Sequence, residues 1–271
     1  MSGEGAERRP LSVTMIAFNE ADRIGAALDA VRAIADDVLV VDSGSTDETV
    51  AVAEAHGARV LHRAWEGYGP QKRFAEAEAR HDWILNLDAD EVLTPELAAE
   101  IRAVLDTPEP ANQGYRINLL TVYPGDQRPR LWANGHNQIR LYDRRAMSFR
   151  TSLVHDTVDE AGQPVGQMRH PAYHFSFRSM AHLRAKQDSY TTLQAKELKK
   201  KTWVLLIRLP FEYPLMFLRY LLIRTHITGG LKGLEISHIA AKYRTLRLWK
   251  ILKAKAASKQ AEPSAGTVSG G

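Results

Sequence analysis

Three acidic features of this chain each follow a short apolar run of strand length. Asn19-Glu20 follows Leu11–Phe18, Asp42 ends the run Val38–Val41, and Asp88-Ala89-Asp90 follows Trp83–Leu87. A run such as Ile84–Leu87 must lie in a core, and it delivers the acids behind it to the edge of a sheet. In open α/β sheets that edge is where ligands bind. Two carboxylates there suit a hard, oxygen-loving ion, Mg²⁺ or Mn²⁺, that would also hold diphosphate oxygens. The competing role for Asp88 and Asp90 is to cap the helix that begins near Pro95. Thr94 already supplies that cap, with Pro95 in the first turn.

The elements that must position these acids alternate along the chain. A helical pattern runs from Asn19-Glu20 to Ile34, and a second runs from the turn-rich Ser43–Asp47 to His56, where Gly57 stops it. Ala58–Leu61 reads as a third strand, Pro70–Arg80 as a helix and Trp83–Leu87 as a fourth strand before the helix opened by Thr94-Pro95. This spacing predicts an α/β fold with a mostly parallel sheet and helices on both faces. Beyond Pro108 the strands Gly114–Val122 and Gln138–Tyr142 flank a polar loop with Trp132, Asn134 and His136. From Ser179 the pattern is almost all helix. The expected organisation is one domain over residues 1–178, a helical region over 179–255, and a Ser/Gly/Ala-rich tail over 256–271 predicted to be disordered. There is no internal repeat.

Composition bounds what such a chain can do. It has 271 residues, 44% of them hydrophobic, which is ample for one core and a helical appendage. It has no cysteine, so a disulfide framework, a thiolate metal site and a cysteine nucleophile are excluded. The polar start, Met1 to Pro10, lacks the apolar region of a secretory signal. No run of about 18 uncharged apolar residues occurs, so a spanning helix is not expected. The net charge of +4 is unevenly spread: residues 196–259 carry 15 Lys and Arg against Glu197, Glu212 and Glu235, while residues 1–195 carry 21 against 28 acids. A basic end on an acidic body points to an anionic surface as partner, or else to a solvated helical face.

Taken jointly, in order and spacing, the motifs resemble a known family. Val13-Thr14-Met15-Ile16-Ala17-Phe18-Asn19-Glu20, Val40-Val41-Asp42-Ser43-Gly44-Ser45-Thr46-Asp47 and Leu87-Asp88-Ala89-Asp90-Glu91 resemble the three signatures of family 2 glycosyltransferases of the GT-A fold. Trp65-Glu66-Gly67-Tyr68-Gly69-Pro70-Gln71-Lys72-Arg73 resembles the branch of lipopolysaccharide inner-core β-1,4-glucosyltransferases. The resemblance implies a UDP-sugar donor and a divalent metal. Asp42 would bond the uracil, and Ala17, Asn19 and Glu20 would line the nucleoside pocket. Asp88 would lie near the ribose and the metal, Asp90 would be the principal metal ligand, and Lys72 or Arg73 would meet the diphosphate. Charge that builds on a departing diphosphate is offset by a metal and a cation.

An inverting transfer also needs a base opposite the leaving group. Val154-His155-Asp156 matches the branch's Val-His-acid element after Arg140-Leu141-Tyr142-Asp143-Arg144, with Asp156 where Glu is more usual. Asp156 is therefore the candidate base. His155 would be a metal ligand, an acceptor contact or a packed histidine.

Thr202–Ile227 is the most apolar stretch, yet it contains Arg208, Glu212, Arg219 and His226. At about 100° per residue these four share one narrow sector, so the stretch is predicted to be amphipathic, with Pro210 and Pro214 breaking it into two helices. Aromatic residues and the basic run from Lys242 to Lys255 fit a peripheral enzyme on the anionic cytoplasmic face of the inner membrane. The competing reading is a helical bundle or a dimer interface. The expected acceptor is a glycolipid or lipopolysaccharide core.

Rival functions fit less well. A dinucleotide oxidoreductase would need Gly-x-Gly-x-x-Gly at the first turn, where the chain has Ala17-Phe18-Asn19-Glu20. A non-catalytic membrane adaptor leaves the acids without a purpose, and no nucleic-acid motif is present. Transfer to a polyprenyl phosphate is the nearest alternative, although such enzymes usually carry spanning helices.

Overall fold

The computed structural model describes residues 8–152, 156–197 and 202–261. They fall into two compact units, the described residues of 8–122 with 135–176, and those of 123–134 with 177–261. The loop expected to belong to the sheet domain thus goes with the helical unit.

The first unit begins β1 (Leu11–Ala17), α1 (Ile24–Val31), β2 (Asp37–Asp42), α2 (Thr49–Ala55), β3 (Arg59–His62), α3 (Tyr68–Glu78) and β4 (Trp83–Asp88). Then come β5 (Glu91–Leu93), α4 (Pro95–Leu105), β6 (Gly114–Thr121), β7 (Gly135–Asp143), β8 (Ser148–Phe149), β9 (Val158–Asp159), β10 (Val165–Gln167) and β11 (Ala172–His174). One sheet has the order β3-β2-β1-β4-β7-β6-β11-β5, with β10 beside β6, and β8 pairs with β9 in a separate ribbon. Strands β1 to β4 pair in parallel, while β7 runs antiparallel to both β4 and β6. The sheet is therefore parallel in its first half and mixed in its second, where β6 and β7, joined by residues 122–134 with no helix between them, run antiparallel.

Parallel strands covered on both faces need apolar residues at successive positions. β1 meets this: of its seven residues only Ile16 is not fully buried. One face packs on α1 through Ile24, Ala27, Leu28 and Val31 and on α4 through Leu97, Ile101 and Leu105. Each of these buried side chains other than Ala27 contributes about 1.5–3 kcal/mol. Thr94 caps α4 as expected, its hydroxyl accepting from the Leu97 N–H at 3.2 Å.

α3 is different. Its buried residues are Gly69, Gln71, Lys72, Ala75 and Glu76, so it turns a polar face inward. Glu76 accepts from the Tyr142 hydroxyl at 2.6 Å, and burial pushes its carboxyl above the usual range. Gly69 has a separate task. A Cβ there would stand 2.2 Å from the Arg150 carbonyl, so only glycine lets residues 150–152 cross the first turn of α3, where the Gly69 N–H donates to Ser152 O.

The second unit contains α5 (Met180–Glu197), α6 (Thr202–Leu218), a π-helical turn over Arg219–Ile223, a 3₁₀ turn over His226–Gly229, and α7 (Gly230–Ala261). Contrary to expectation, α6 runs unbroken through Pro210 and Pro214. The two prolines are four positions apart and both exposed, so the carbonyls they leave unpaired open to the outside on one face. The break comes later, at the π turn and at Thr225 in a left-handed conformation (φ 55°). α7 continues to Ala261, into the stretch from 256 that composition marks as tail.

Candidate active site

Sheet register brings the acidic strand ends together. Ala17 lies opposite Asp42 and Ile16 opposite Asp88, so the two aspartates flank the carboxyl end of β1.

On the Asp42 side the residues build a closed turn. The Asp42 carboxylate accepts from the N–H groups of Gly44 (2.8 Å) and Ser45 (3.0 Å) and from the Ser45 hydroxyl. Ser45 Oγ in turn accepts from the Asn19 N–H at 2.9 Å, and the Asn19 side-chain oxygen accepts from the Thr46 N–H at 2.8 Å. Asn19 takes φ 57°, a conformation that asparagine tolerates better than most residues. The Glu20 N–H donates to the Thr49 hydroxyl at 2.7 Å, and the Glu20 carboxylate pairs with Arg23. Ala17 is buried, and its carbonyl accepts from the Ser43 N–H.

On the Asp88 side stands a network of charges. Lys72 Nζ, wholly buried, lies 2.9 Å from Asp88 and 2.9 Å from Asp156. Arg140, also buried, reaches Asp88 at 3.0 Å, pairs with the buried Glu91, and touches Asn86 at 3.3 Å. Burial alone would raise the Asp88 pKa; the charges of Lys72 and Arg140 outweigh it and hold the carboxyl well below the usual range. Glu91 goes the other way, pushed up to about 6 by burial and by Asp88, against the pull of Arg140.

Asp90 points to a different set of partners. Its Oδ2 lies 3.5 Å from His174 Nε2 and 3.5 Å from Arg23. Burial opposes both charges of the Asp90–His174 pair, yet their mutual contact holds Asp90 below and His174 above its ordinary value. No group of three or more acidic or histidine ligands occurs among the described residues. Asp90 and His174 nevertheless fit a divalent cation: one oxygen and one nitrogen ligand, with His174 Nδ1 buried and without a hydrogen-bond partner. Asp88 fits less well as a direct ligand, because Lys72 and Arg140 occupy its two oxygens.

The structure therefore brings together Lys72, Asp88 and Asp156, with Asp90 two residues away in the same turn. It sends Arg73 elsewhere: that side chain is exposed and donates to the Phe149 carbonyl at 3.0 Å. Adjacent helix positions cannot share a face, so Lys72 and Arg73 part. His155 lies outside the described residues. Sequence reasoning assigned no role to Arg23, Glu91, Arg140 or His174. Arg140 carried a signal, a lone charge within the apolar strand Ile139–Tyr142, whereas His174 carried none.

Residues 12–161 match the profile of Glycosyl transferase family 2. A glycosyltransferase of Rickettsia felis is 39% identical over 92% of this chain and 92% of its own. The lipopolysaccharide core biosynthesis glycosyltransferase LpsC of Rhizobium meliloti is 27% identical over 89% of this chain and 92% of its own. Among solved structures, glucosyl-3-phosphoglycerate synthase of Mycobacterium tuberculosis is 28% identical and covers 43% of this chain and 45% of its own, at a TM-score of 0.35, too partial a likeness to bear on ligands. The strand-end acids, the GT-A sheet that carries them and the match over the whole catalytic unit lead to one conclusion: the chain belongs to glycosyl transferase family 2 and is a glycosyltransferase.

Proposed function

We propose that the enzyme moves a hexose, glucose by its resemblance, from a UDP-sugar to a lipopolysaccharide-core or related envelope glycan, with inversion and with Mg²⁺ or Mn²⁺ bound. The observation that carries this reading is the Lys72 bridge between Asp88 and Asp156, 2.9 Å from each. It joins a donor-side acid to an acceptor-side acid within the span of one ammonium group. The acceptor hydroxyl attacks the anomeric carbon, the bond to the diphosphate oxygen breaks, and Asp156 takes the proton. Lys72 stays with Asp88 and keeps a positive charge beside the departing diphosphate. Asp90 and His174 would hold the metal, which when bound offsets diphosphate charge as a Lewis acid. An ionised carboxylate accepts about four hydrogen bonds, and the turn takes three at Asp42, so one position is left for a base N–H. The name of the Rhizobium relative supports the acceptor class.

The same reading puts the protein peripherally on the cytoplasmic face of the inner membrane. No helix of the described residues is long and apolar enough to cross a membrane. The support is that α6 leaves much apolar surface uncovered: Leu205 is buried beside Leu248 and Ile251, and Glu212 against Arg208 at 2.8 Å and Arg244 at 3.6 Å, but Trp203, Leu206, Ile207, Phe211 and Leu215 are each more than half exposed. Such a surface suits lipid better than water.

The test is incubation with UDP-, GDP- and dTDP-sugars plus Mn²⁺, followed by transfer to core oligosaccharide. UDP-glucose should be hydrolysed slowly alone and consumed faster with the acceptor. Turnover of GDP- or dTDP-sugars only would refute the donor. Glucose delivered to a polyprenyl phosphate and not to the core glycan would favour the alternative acceptor.

A further inference from the structure

Within the helical unit lies a cavity of about 450 Å³ that the transfer reaction does not use. Arg244 and Arg247 reach it from one face of α7, three positions apart, and Gln187, Thr191 and Tyr220 add uncharged hydrogen-bonding groups. Leu183, Ile236 and Ile239 supply an apolar wall. The volume falls within the range of small-ligand sites.

Among the described residues that line the cavity, the two arginines carry the charge. Arg208 and Arg244 share the buried carboxylate of Glu212, and Arg247 stands close enough to feel both arginines. Burial, then repulsion from Arg244, lowers the Arg247 pKa against the pull of Glu212. His226 also lines the cavity but adds no charge near neutral pH: burial, with Arg130 and Arg224, brings it down to about 4. Guanidinium forks match phosphate oxygens in pairs.

The surroundings indicate what the phosphate is attached to. Tyr220 and His226 line the cavity, and between and just beyond them in the chain Leu222, Ile223, Ile227 and Leu231 are 52%, 76%, 56% and 85% exposed. A cavity that holds two arginines, beside uncovered apolar side chains, is an arrangement that suits an amphiphile, with the head at the arginines and the tail outside. We propose that the helical unit binds the phosphate head of an anionic membrane lipid between Arg244 and Arg247, with the acyl chains on the apolar surface that contains Ile223 and Leu231. This rests on the peripheral-membrane reading and gives it a specific lipid site.

The experiment uses the full chain in a sedimentation assay with phosphatidylcholine vesicles, with and without phosphatidylglycerol, and in a melting assay with glycerol 3-phosphate or inorganic phosphate. Wild type should prefer the phosphatidylglycerol vesicles by about tenfold or more, as expected for two basic groups at an anionic head. R244Q/R247Q should lose that preference while still binding phosphatidylcholine. K242Q/K253Q, which removes two exposed charges of the same helix, should keep most of it. An equal loss in the lysine variant would mean diffuse surface charge and overturn the site. A wild-type preference below twofold would overturn the lipid as ligand even if inorganic phosphate raised Tm. If neither vesicle were bound, the membrane reading would fall. The cavity's phosphate chemistry would then be decided by glycerol 3-phosphate: a Tm rise in wild type supports it, and no rise overturns it. R244K/R247K, which keeps the charge but not the fork, covers the case in which the glutamine variant does not fold, and it should retain part of the preference.

Discussion

Lys72 and Asp156 are 84 positions apart in the chain, yet the ammonium of the first lies 2.9 Å from the carboxylate of the second. The lysine is fully buried and the aspartate 30% exposed, so the pair closes one wall of the site and leaves the acid open to an incoming hydroxyl. Gly69 makes the approach possible by admitting the chain that leads to Asp156.

Lys72→Met should therefore damage fold and chemistry together. It removes one of the two cations that Asp88 and Asp156 face, leaving Arg140 at 3.0 Å and 4.0 Å, and breaking a buried pair costs about 3–5 kcal/mol. The exposure of both acids puts the expected loss at or below the lower figure, about 3 kcal/mol. Urea unfolding measures this, and transfer should fall at least a hundredfold, an expectation of order set by ~10² for a lost transition-state charge contact. A stable variant with near-normal turnover would remove Lys72 from the site.

Asp156→Asn separates base chemistry from binding. The amide oxygen still accepts from Lys72, so the fold should hold, but no proton can be taken. Transfer should drop by roughly 10²–10⁴, while UDP affinity stays close to wild type. Near-normal kcat on the true acceptor would direct the search for the base to Asp143 and Asp159.

Asp90→Ala and His174→Ala should act alike. Each removes one of the two groups that face each other at 3.5 Å, so each should weaken UDP binding in the presence of Mn²⁺ and change it little in EDTA. Titration by calorimetry checks this. Undiminished wild-type turnover in EDTA would refute the metal altogether.

Asp42 offers a test by two substitutions. Asp42→Ala deletes the acceptor for the Gly44 and Ser45 N–H groups, so Tm should fall and donor KM should rise together. Asp42→Asn keeps an acceptor oxygen and should keep most of the Tm, yet change the preference for uridine. Unchanged preference in the asparagine variant would leave Asp42 a turn residue only.

Asp37 predicts a pH dependence away from the site. It accepts from Ser12 Oγ and the Arg80 N–H, both at 3.1 Å, and pairs with Arg59 at 3.3 Å. Burial would raise its pKa, but the Arg80 N–H and the Arg59 guanidinium outweigh burial and lower it. A lowered folded value means that the charged form is favoured in the folded state. That stability is complete above the unfolded pKa of about 4 and is lost as pH falls through the folded value. Asp37→Asn should cost about 1.5–3 kcal/mol at pH 7, as for hydrogen bonds to a charged group. The gap to wild type should narrow below about pH 4, and urea unfolding at both pH values would show it. A gap that does not change with pH would refute the charge argument.

The alternation of apolar runs and helical periods was enough to determine the first half of the fold, because a strand buried on both faces has to be apolar along its length and a turn has to follow it. That places Asn19, Asp42 and Asp88 at one sheet edge before any coordinate is known. The partners of those acids were not legible. α3 buries Gln71, Lys72 and Glu76, so its inward face leaves no apolar period in the sequence; the family resemblance pointed to Lys72 or Arg73, and only packing chose Lys72. Arg140 and His174 are joined to Asp88 and Asp90 by strand pairings that span tens of residues, which local pattern does not encode. In α6 the narrow polar sector was visible, but what it packs on was not: contact with α7 buries Leu205 beside Leu248 and Ile251 together with Glu212 beside Arg244, and leaves Trp203, Ile207 and Phe211 outside.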